Sequence, residues 1–303
     1  MNRRLIIDGS NMLFRSYWIA ENGKSNFEDK YDVGTIYIFL KSLKSVVDIF
    51  NPDETWVTWD KRLTKNSTNF RKLLAENTYK QQRDVTISTK VHEYHDRLEK
   101  WISLLGVYQM YPNVLEADDV MSWLAMKNME GENIIVTVDK DLLQLVNSQT
   151  SYYNPIKKIT ITPINFESEV GVPMKDFLYY KALLGDISDN VVGIEGYGKV
   201  KSKKLAVQGL EGIKEKLEPE CWERFNKNIQ IMDLSDSYNK EVGEVDCYLQ
   251  QYGEQTLNVK PDMKTFEEFC EKNGIYYFSR NINDWKRSFV TEQTLMSLLS
   301  TLK

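Results

Sequence analysis

The stretch VYQMYPNVLEADDVMSWLAMKNMEGENIIVTVD, residues 107–139, decides how this chain folds. It opens on VYQMYP and closes on NIIVTVD (133–139), two short runs rich in β-branched and aromatic residues that suit buried strands. Between them, ADDVMSWLAMKNMEG carries apolar residues at helical spacing and stops at Gly131. Upstream, RRLIID (3–8) reads as a strand bounded by GSN, and VGTIYIFLKSLKSVVDIF (33–50) as a helix ending before NPDE. ETWVTWD (54–60) is a further strand, and VHEYHDRLEKWISLLG (91–106) an amphipathic helix closed by Gly106. This alternation predicts an α/β fold with a central, mostly parallel sheet flanked by helices. Beyond residue 163 the pattern turns helical, with glycines clustered at 193–198; from about 241 charged and aromatic residues alternate without a readable motif.

With 42% hydrophobic and 27% charged residues, the 303-residue chain has the balance of a soluble globular protein and can bury a sizeable core. No apolar run reaches the length of a membrane span, and the first residues turn polar too soon for a signal peptide. A cytoplasmic protein is the expectation, with no membrane partner. Cys221, Cys247 and Cys270 are far apart and lack CxxC pairing, which predicts reduced thiols and neither zinc nor disulfides. The net charge of −5 does not exclude nucleic acid, because charge is segregated along the chain. Lys61, Arg62, Lys65, Arg71, Lys72, Lys80 and Arg83 form one basic stretch, opposed only by Glu76, and Lys199, Lys201, Lys203 and Lys204 form a second.

In an open parallel sheet, ligands bind beyond the carboxyl ends of the strands. Asp8, Asp60 and Asp139 each terminate a strand run, and Glu116, Asp118 and Asp119 follow a fourth after a short loop. Asp141 lies two residues past Asp139, and Asp186 and Asp189 in GDISDN share one face of a helical turn. One such acid is an ordinary cap or turn residue, and acids in a first helical turn complement the helix dipole. Four strand ends supplying acids to one sheet edge are not explained that way. Converging carboxylates repel unless cations neutralise them or some bind protons, and oxygen-rich sites select hard divalent ions such as Mg²⁺ or Mn²⁺. Two such ions can activate water and stabilise the leaving oxygen of a phosphodiester.

IIDGSN, VTWD leading into NFRKLL, YKQQR, EADD, VTVDKDLLQL and LLGDISDNVVGIEGYG resemble, in order, motifs of the 5′-nuclease or flap endonuclease superfamily, nearest to its bacterial and bacteriophage 5′–3′ exonucleases. The likeness covers about residues 3–206. It implies a PIN-like 5′-nuclease fold with a helical arch and a helix–hairpin–helix (H3TH) DNA-binding region. The expected organisation is a catalytic core at 1–162 with an arch at 61–92, an H3TH region at 163–240, and a C-terminal helical region at 241–303. The family's metal-binding acids map onto Asp8, Asp60, Glu116, Asp118, Asp119, Asp139, Asp141, Asp186 and Asp189, all acidic here. Two Mg²⁺ or Mn²⁺ ions are implied.

Tyr79, Lys80 and Arg83 occupy the family's YKxxR pattern, placed by the resemblance in an arch that a single 5′ strand passes. Lys80 and Arg83 at i, i+3 can aim at one phosphate and stabilise developing negative charge, so they join Asp139 and Asp141 as candidate catalytic groups. Arg71 matches a family position that supports substrate phosphates, and Tyr79 could stack on a base. GIEGYGKV (193–200) approximates a P-loop, but Val200 replaces the hydroxyl and helical sequence precedes it. It reads better as the hairpin of the H3TH motif, where Gly196 and Gly198 admit duplex phosphates, Lys199, Lys201, Lys203 and Lys204 add charge, and the family often holds K⁺.

HEYH (92–95) falls one residue short of the HExxH zinc motif. QTLMSLL (293–299) loosely resembles a sliding-clamp peptide, but an ordinary amphipathic end explains it better and no partner is read from it. Together these readings predict a monomeric, Mg²⁺-dependent 5′–3′ exonuclease and flap endonuclease acting in primer or flap removal. Its expected partners are DNA with 5′ flaps, forks, nicks or gaps, RNA/DNA hybrids, and replication proteins such as a clamp or single-strand-binding protein. A DNA-junction binding protein without catalysis and a PIN-type ribonuclease are the rival readings.

Overall fold

In the computed structural model of the chain, the residues described are 2–23, 32–60, 71, 75, 85–112, 115–127, 130–235 and 260–290. The expectations for Tyr79, Lys80 and Arg83, for most of the basic stretch around them, for Cys247 and for the 293–299 peptide lie outside these residues.

Strand β1 (Arg3–Asp8) is central because Leu5, Ile6 and Ile7 are apolar in succession and need cover on both faces. It pairs in parallel with β2 (Glu54–Thr58) on one side and β4 (Glu132–Val136) on the other. β3 (Tyr108–Met110) extends the sheet beyond β2, and β5 (Thr150–Asn154) extends it beyond β4, both in parallel. β6 (Ile159–Ile161) folds back antiparallel on β5, giving the order β3-β2-β1-β4-β5-β6. The mostly parallel sheet expected from the alternation is therefore present.

Strand alternation sends side chains into two separate cores. Leu5, Ile7, Ile134, Val136 and Tyr153 join the layer built by α1 (Gly9–Asn22), α2 (Gly34–Phe50) and α3 (Val85–Leu104). Ile6, Ile135 and Tyr152 join the opposite layer, with α4 (Ala117–Lys127) and the helices that follow the sheet. These are α5 (Phe166–Val170), α6 (Phe177–Leu184), α7 (Lys199–Ala206), α8 (Gly209–Lys216) and α9 (Pro219–Met232). A two-residue ladder, β7 (Gly185–Asp186) with β8 (Val191–Val192), interrupts them.

Two features differ from expectation, and a third, the packing of the C-terminal helices, had no signal in the sequence. α1 starts where GSN reads as a boundary, because Asp8 accepts a hydrogen bond from the Asn11 N–H and caps it. α3 begins at Val85 and runs unbroken through residue 92, so the expected end of the arch falls inside a helix. The region after 241 contributes α10 (Met263–Lys272), α11 (Tyr276–Arg280) and α12 (Ile282–Phe289), whose Phe266, Phe278 and Trp285 belong to the core beneath α2 and α3. Among the described residues no helix is long and apolar enough to cross a membrane.

Candidate active site

The sheet order reverses between β1 and β4, since the chain builds from β1 through β2 to β3 and then returns to the other side of β1. Such a switch point opens a crevice at the carboxyl ends of the strands. Asp8 closes β1 there and is 6% exposed. Its Oδ1 accepts from the Asn11 N–H at 2.9 Å and its Oδ2 from Thr137 Oγ1 at 2.9 Å. The same Thr137 oxygen accepts from the Asp139 N–H at 3.0 Å, and Asp139 Oδ1 accepts from the Asp141 N–H at 2.9 Å. Across the crevice, Asp60 donates its N–H to Ser10 Oγ at 2.8 Å and accepts the Ala117 N–H at 3.0 Å. Hydrogen bonds through Thr137 thus tie Asp8 to Asp139 and Asp141, while Asp60 is held by Ser10 and Ala117 and acts on Asp8 through its charge.

Electrostatics show how crowded this edge is. Burial pushes the Asp8 carboxyl up to about 7, and the neighbouring charges of Asp60 and Asp139 add to it against hydrogen bonds from Asn11 and Thr137. Burial likewise raises Asp141 to about 6, with Asp139 and Asp186 adding repulsion and Lys181 opposing it. The nearby Tyr152 hydroxyl is also raised, chiefly by burial, with Asp139 and Asp8 contributing.

Glu116, Asp118, Asp141, Asp186 and Asp189 line one cleft with Arg71. Asp186 reaches it because the chain makes an abrupt crossing. Gly185 has φ +75°, and a Cβ there would lie 2.3 Å from the Gly193 nitrogen, so only glycine admits the β7–β8 ladder. Lys181 Nζ then bridges Asp141 Oδ1 at 2.6 Å and Asp186 Oδ2 at 2.7 Å. Burial works to lower the lysine, but both carboxylates outweigh it and raise it. Burial would raise Asp186, yet hydrogen bonds from Lys181 and Ser188 prevail and hold it below the usual range. Among the described residues, no three acids close around one point as a ready coordination shell; they line a rim that Lys181 partly fills.

Three expected site residues, Asp119, Arg71 and Lys203, turn toward the interior. Asp119 is 1% exposed and its two oxygens face the Arg71 guanidinium, one contact being 2.7 Å. It also accepts the Glu116 N–H at 2.9 Å. Arg71, expected at substrate phosphates, is 3% exposed, with further bonds to Glu116 at 3.4 Å and to the Ile231 carbonyl of α9 at 2.9 Å. The pair is a strut that fixes the start of α4 against α9. Lys203 likewise turns inward, donating to the Val170 carbonyl at 3.2 Å.

In the hairpin, Gly196 has φ +77°, and a Cβ on either Gly196 or Gly198 would meet nothing within 4 Å. Gly198 precedes α7, and Lys199, Lys201 and Lys204 are exposed on it. Open backbone at a helix start beside three ammonium groups suits phosphate oxygens. In HEYH, the half-buried His95 ring packs edge-on against Trp59 at 4.5 Å and Tyr111 at 5.2 Å, and burial lowers its pKa. It is a packing residue.

Sequence reasoning missed Lys181, Thr137 and Ser10. Lys181 alone carried a signal, a cation inside the apolar run FLYYKALL just ahead of GDISDN. Thr137 and Ser10 are ordinary strand-end and turn residues until the fold brings the acids to them.

A flap endonuclease of bacteriophage T5, in a complex with DNA and metal ions, superposes with a TM-score of 0.67 at 18% identity, covering 85% of this chain and 99% of that one. The sheet and helices are those of the 5′-nuclease fold. Residues 3–171 match the family described as 5′-3′ exonuclease, N-terminal resolvase-like domain. A 5′-3′ exonuclease of Buchnera aphidicola subsp. Schizaphis graminum is 30% identical over 213 residues, covering 69% of this chain and 71% of that protein. One of Halalkalibacterium halodurans is 27% identical over 268 residues, covering 84% and 87%. The chain belongs to the 5′-3′ exonuclease family.

Proposed function

We propose that this chain is a divalent-metal-dependent 5′ nuclease, a 5′–3′ exonuclease and flap endonuclease that hydrolyses phosphodiester bonds at single-strand/duplex junctions. One observation carries the reading: acids crowd the sheet's switch point, where burial, with repulsion from neighbouring carboxylates, raises Asp8 to about 7 and Asp141 to about 6. An all-carboxylate donor set gathered at one sheet edge fits hard divalent cations, Mg²⁺ or Mn²⁺. Asp8, Asp60, Glu116, Asp118, Asp139, Asp141, Asp186 and Asp189 would hold them, and Asp119 would act behind them through Arg71. When bound, such ions lower the pKa of water and stabilise charge on phosphodiester oxygens.

The chain's own groups do the rest. Thr137 and Asn11 aim the Asp8 oxygens, and the Asp119–Arg71 strut keeps Glu116 and Asp118 facing the cleft. Gly196, Gly198, Lys199, Lys201 and Lys204 hold duplex phosphates without reading bases, so selectivity is for structure and not sequence. A K⁺ ion at this hairpin belongs to the same proposal. Tyr79, Lys80 and Arg83 meet the 5′ strand, and cleavage leaves 5′-phosphate and 3′-hydroxyl ends. RNA primers on DNA and 5′ flaps in replication are the substrates proposed, for a monomer working beside a clamp or single-strand-binding protein.

A 5′-labelled flap oligonucleotide tests the reading. Short labelled products should form with Mg²⁺ and disappear with EDTA, and Asp139→Ala should bind the flap without cutting it. An intact substrate after long incubation with Mg²⁺ would leave a junction-binding protein instead.

A further inference from the structure

Lys181 projects from α6 into the acidic crevice between two carboxylates from distant parts of the fold, Asp141 at 2.6 Å and Asp186 at 2.7 Å. Its side chain is 13% exposed and theirs 19% and 18%. The helix around it is otherwise apolar, with Ala182 and Leu183 buried beside it. A lysine in that setting loses much of its hydration, which only close opposite charge offsets. Asp186 is further held by the Ser188 N–H at 2.8 Å, while Asp141 leans on Asp139 through its own N–H at 2.9 Å. The ammonium therefore joins Asp141, which is itself bonded to Asp139, to Asp186, which lines the cleft with Asp189. An ion bound there needs the same oxygens that the lysine holds.

We propose that Lys181 is a built-in counter-ion that competes with a divalent cation for Asp141 and Asp186, so that the crevice fills in order. The first ion enters at Asp8, Asp60 and Asp139. The second enters beside Asp186 and Asp189, after the ammonium has released Asp186. Lys181 is a positioning residue: it keeps two carboxylates from repelling each other in the ion-free protein and sets the affinity of the weaker site. This rests on the crevice being a divalent-cation site.

The test is a Ca²⁺ titration of the metal-free protein without nucleic acid, followed by calorimetry, with ¹⁵N NMR of the lysine ammonium groups. The wild-type protein should show a tight and a weak site. In Lys181→Met the weak site should tighten roughly tenfold, as expected for members of one ion-pair network. Lys181→Arg should stay near wild type. In the wild-type protein the Lys181 ammonium signal, assigned by its loss in Lys181→Arg, should move with the second ion and not the first, a readout that stands even if Lys181→Met fails to fold. Two Ca²⁺ ions binding with that signal still and the weak constant unchanged in the variant would overturn the ordering. A wild-type protein that binds no Ca²⁺ would instead sink the functional reading, and this inference with it.

Discussion

Asp8 holds its proton up to about pH 7 in the ion-free fold, against 3.8 for the free side chain. Between those values the unfolded chain has lost a proton that the folded chain keeps, so stability falls as pH rises through the window. Asp141, raised to about 6, adds a shorter stretch of the same sign. Thermal unfolding in EDTA should therefore show stability declining from pH 4 to 7 from this source, with added Ca²⁺ stabilising far more at pH 8 than at pH 5. Equal stabilisation at both pH values would contradict the assignment. Arg71 makes the opposite case, a charge fully matched. Arg71→Met takes the guanidinium away from the buried Asp119 carboxylate and should cost about 3–5 kcal/mol in urea unfolding; a loss below about 1 kcal/mol would mean the pair is not a strut. The acids could be read from sequence because strand ends announce themselves through apolar runs. The inward turn of Arg71 could not, because nothing local distinguishes it from the other cations of its basic stretch.

The β7–β8 crossing sets where Asp186 and Asp189 stand. Gly185→Ala would force a side chain into φ +75° and into the Gly193 backbone at 2.3 Å. Positive-φ strain alone costs about 1–3 kcal/mol. The expected result is a destabilised protein with cleavage lost beyond what its folded fraction explains. An alanine variant with normal stability and normal cutting would show that the crossing is not needed. Among the secondary-structure elements, α2, β1 and β4 were plain from apolar periodicity. α1 was hidden, because Asp8 and Gly9 read as a strand end and turn although the aspartate also caps a helix. The β5–β6 hairpin was hidden too, since its turn forms through Asn154 accepting the Ile156 and Lys157 N–H groups and not through glycine.

At the scale of the chain, the C-terminal helices pack into the same hydrophobic core as β1, α2 and α3. Trp285 is 2% exposed, its ring centroid 4.4 Å from Phe278 and 5.1 Å from Phe266, and all three share a cluster with Leu5 and Ile7 of β1. Trp285→Ala should cost about 3–5 kcal/mol and lower the melting of the whole core in one transition. A separate low-temperature transition, with the rest unmoved, would make these helices an independent unit. The sequence beyond 241 hid this role because its aromatic residues find partners in Tyr37 and Trp101, far away in the chain, which no local period records.

The central claim is that one sheet edge gathers carboxylates around divalent cations. Anomalous diffraction from a crystal soaked in Mn²⁺ tests it most directly. Peaks at coordinating distance from Asp8 and Asp139, and at higher Mn²⁺ a second beside Asp186 and Asp189, are predicted. A crystal in which Mn²⁺ occupies other surfaces and leaves this crevice without density would contradict it.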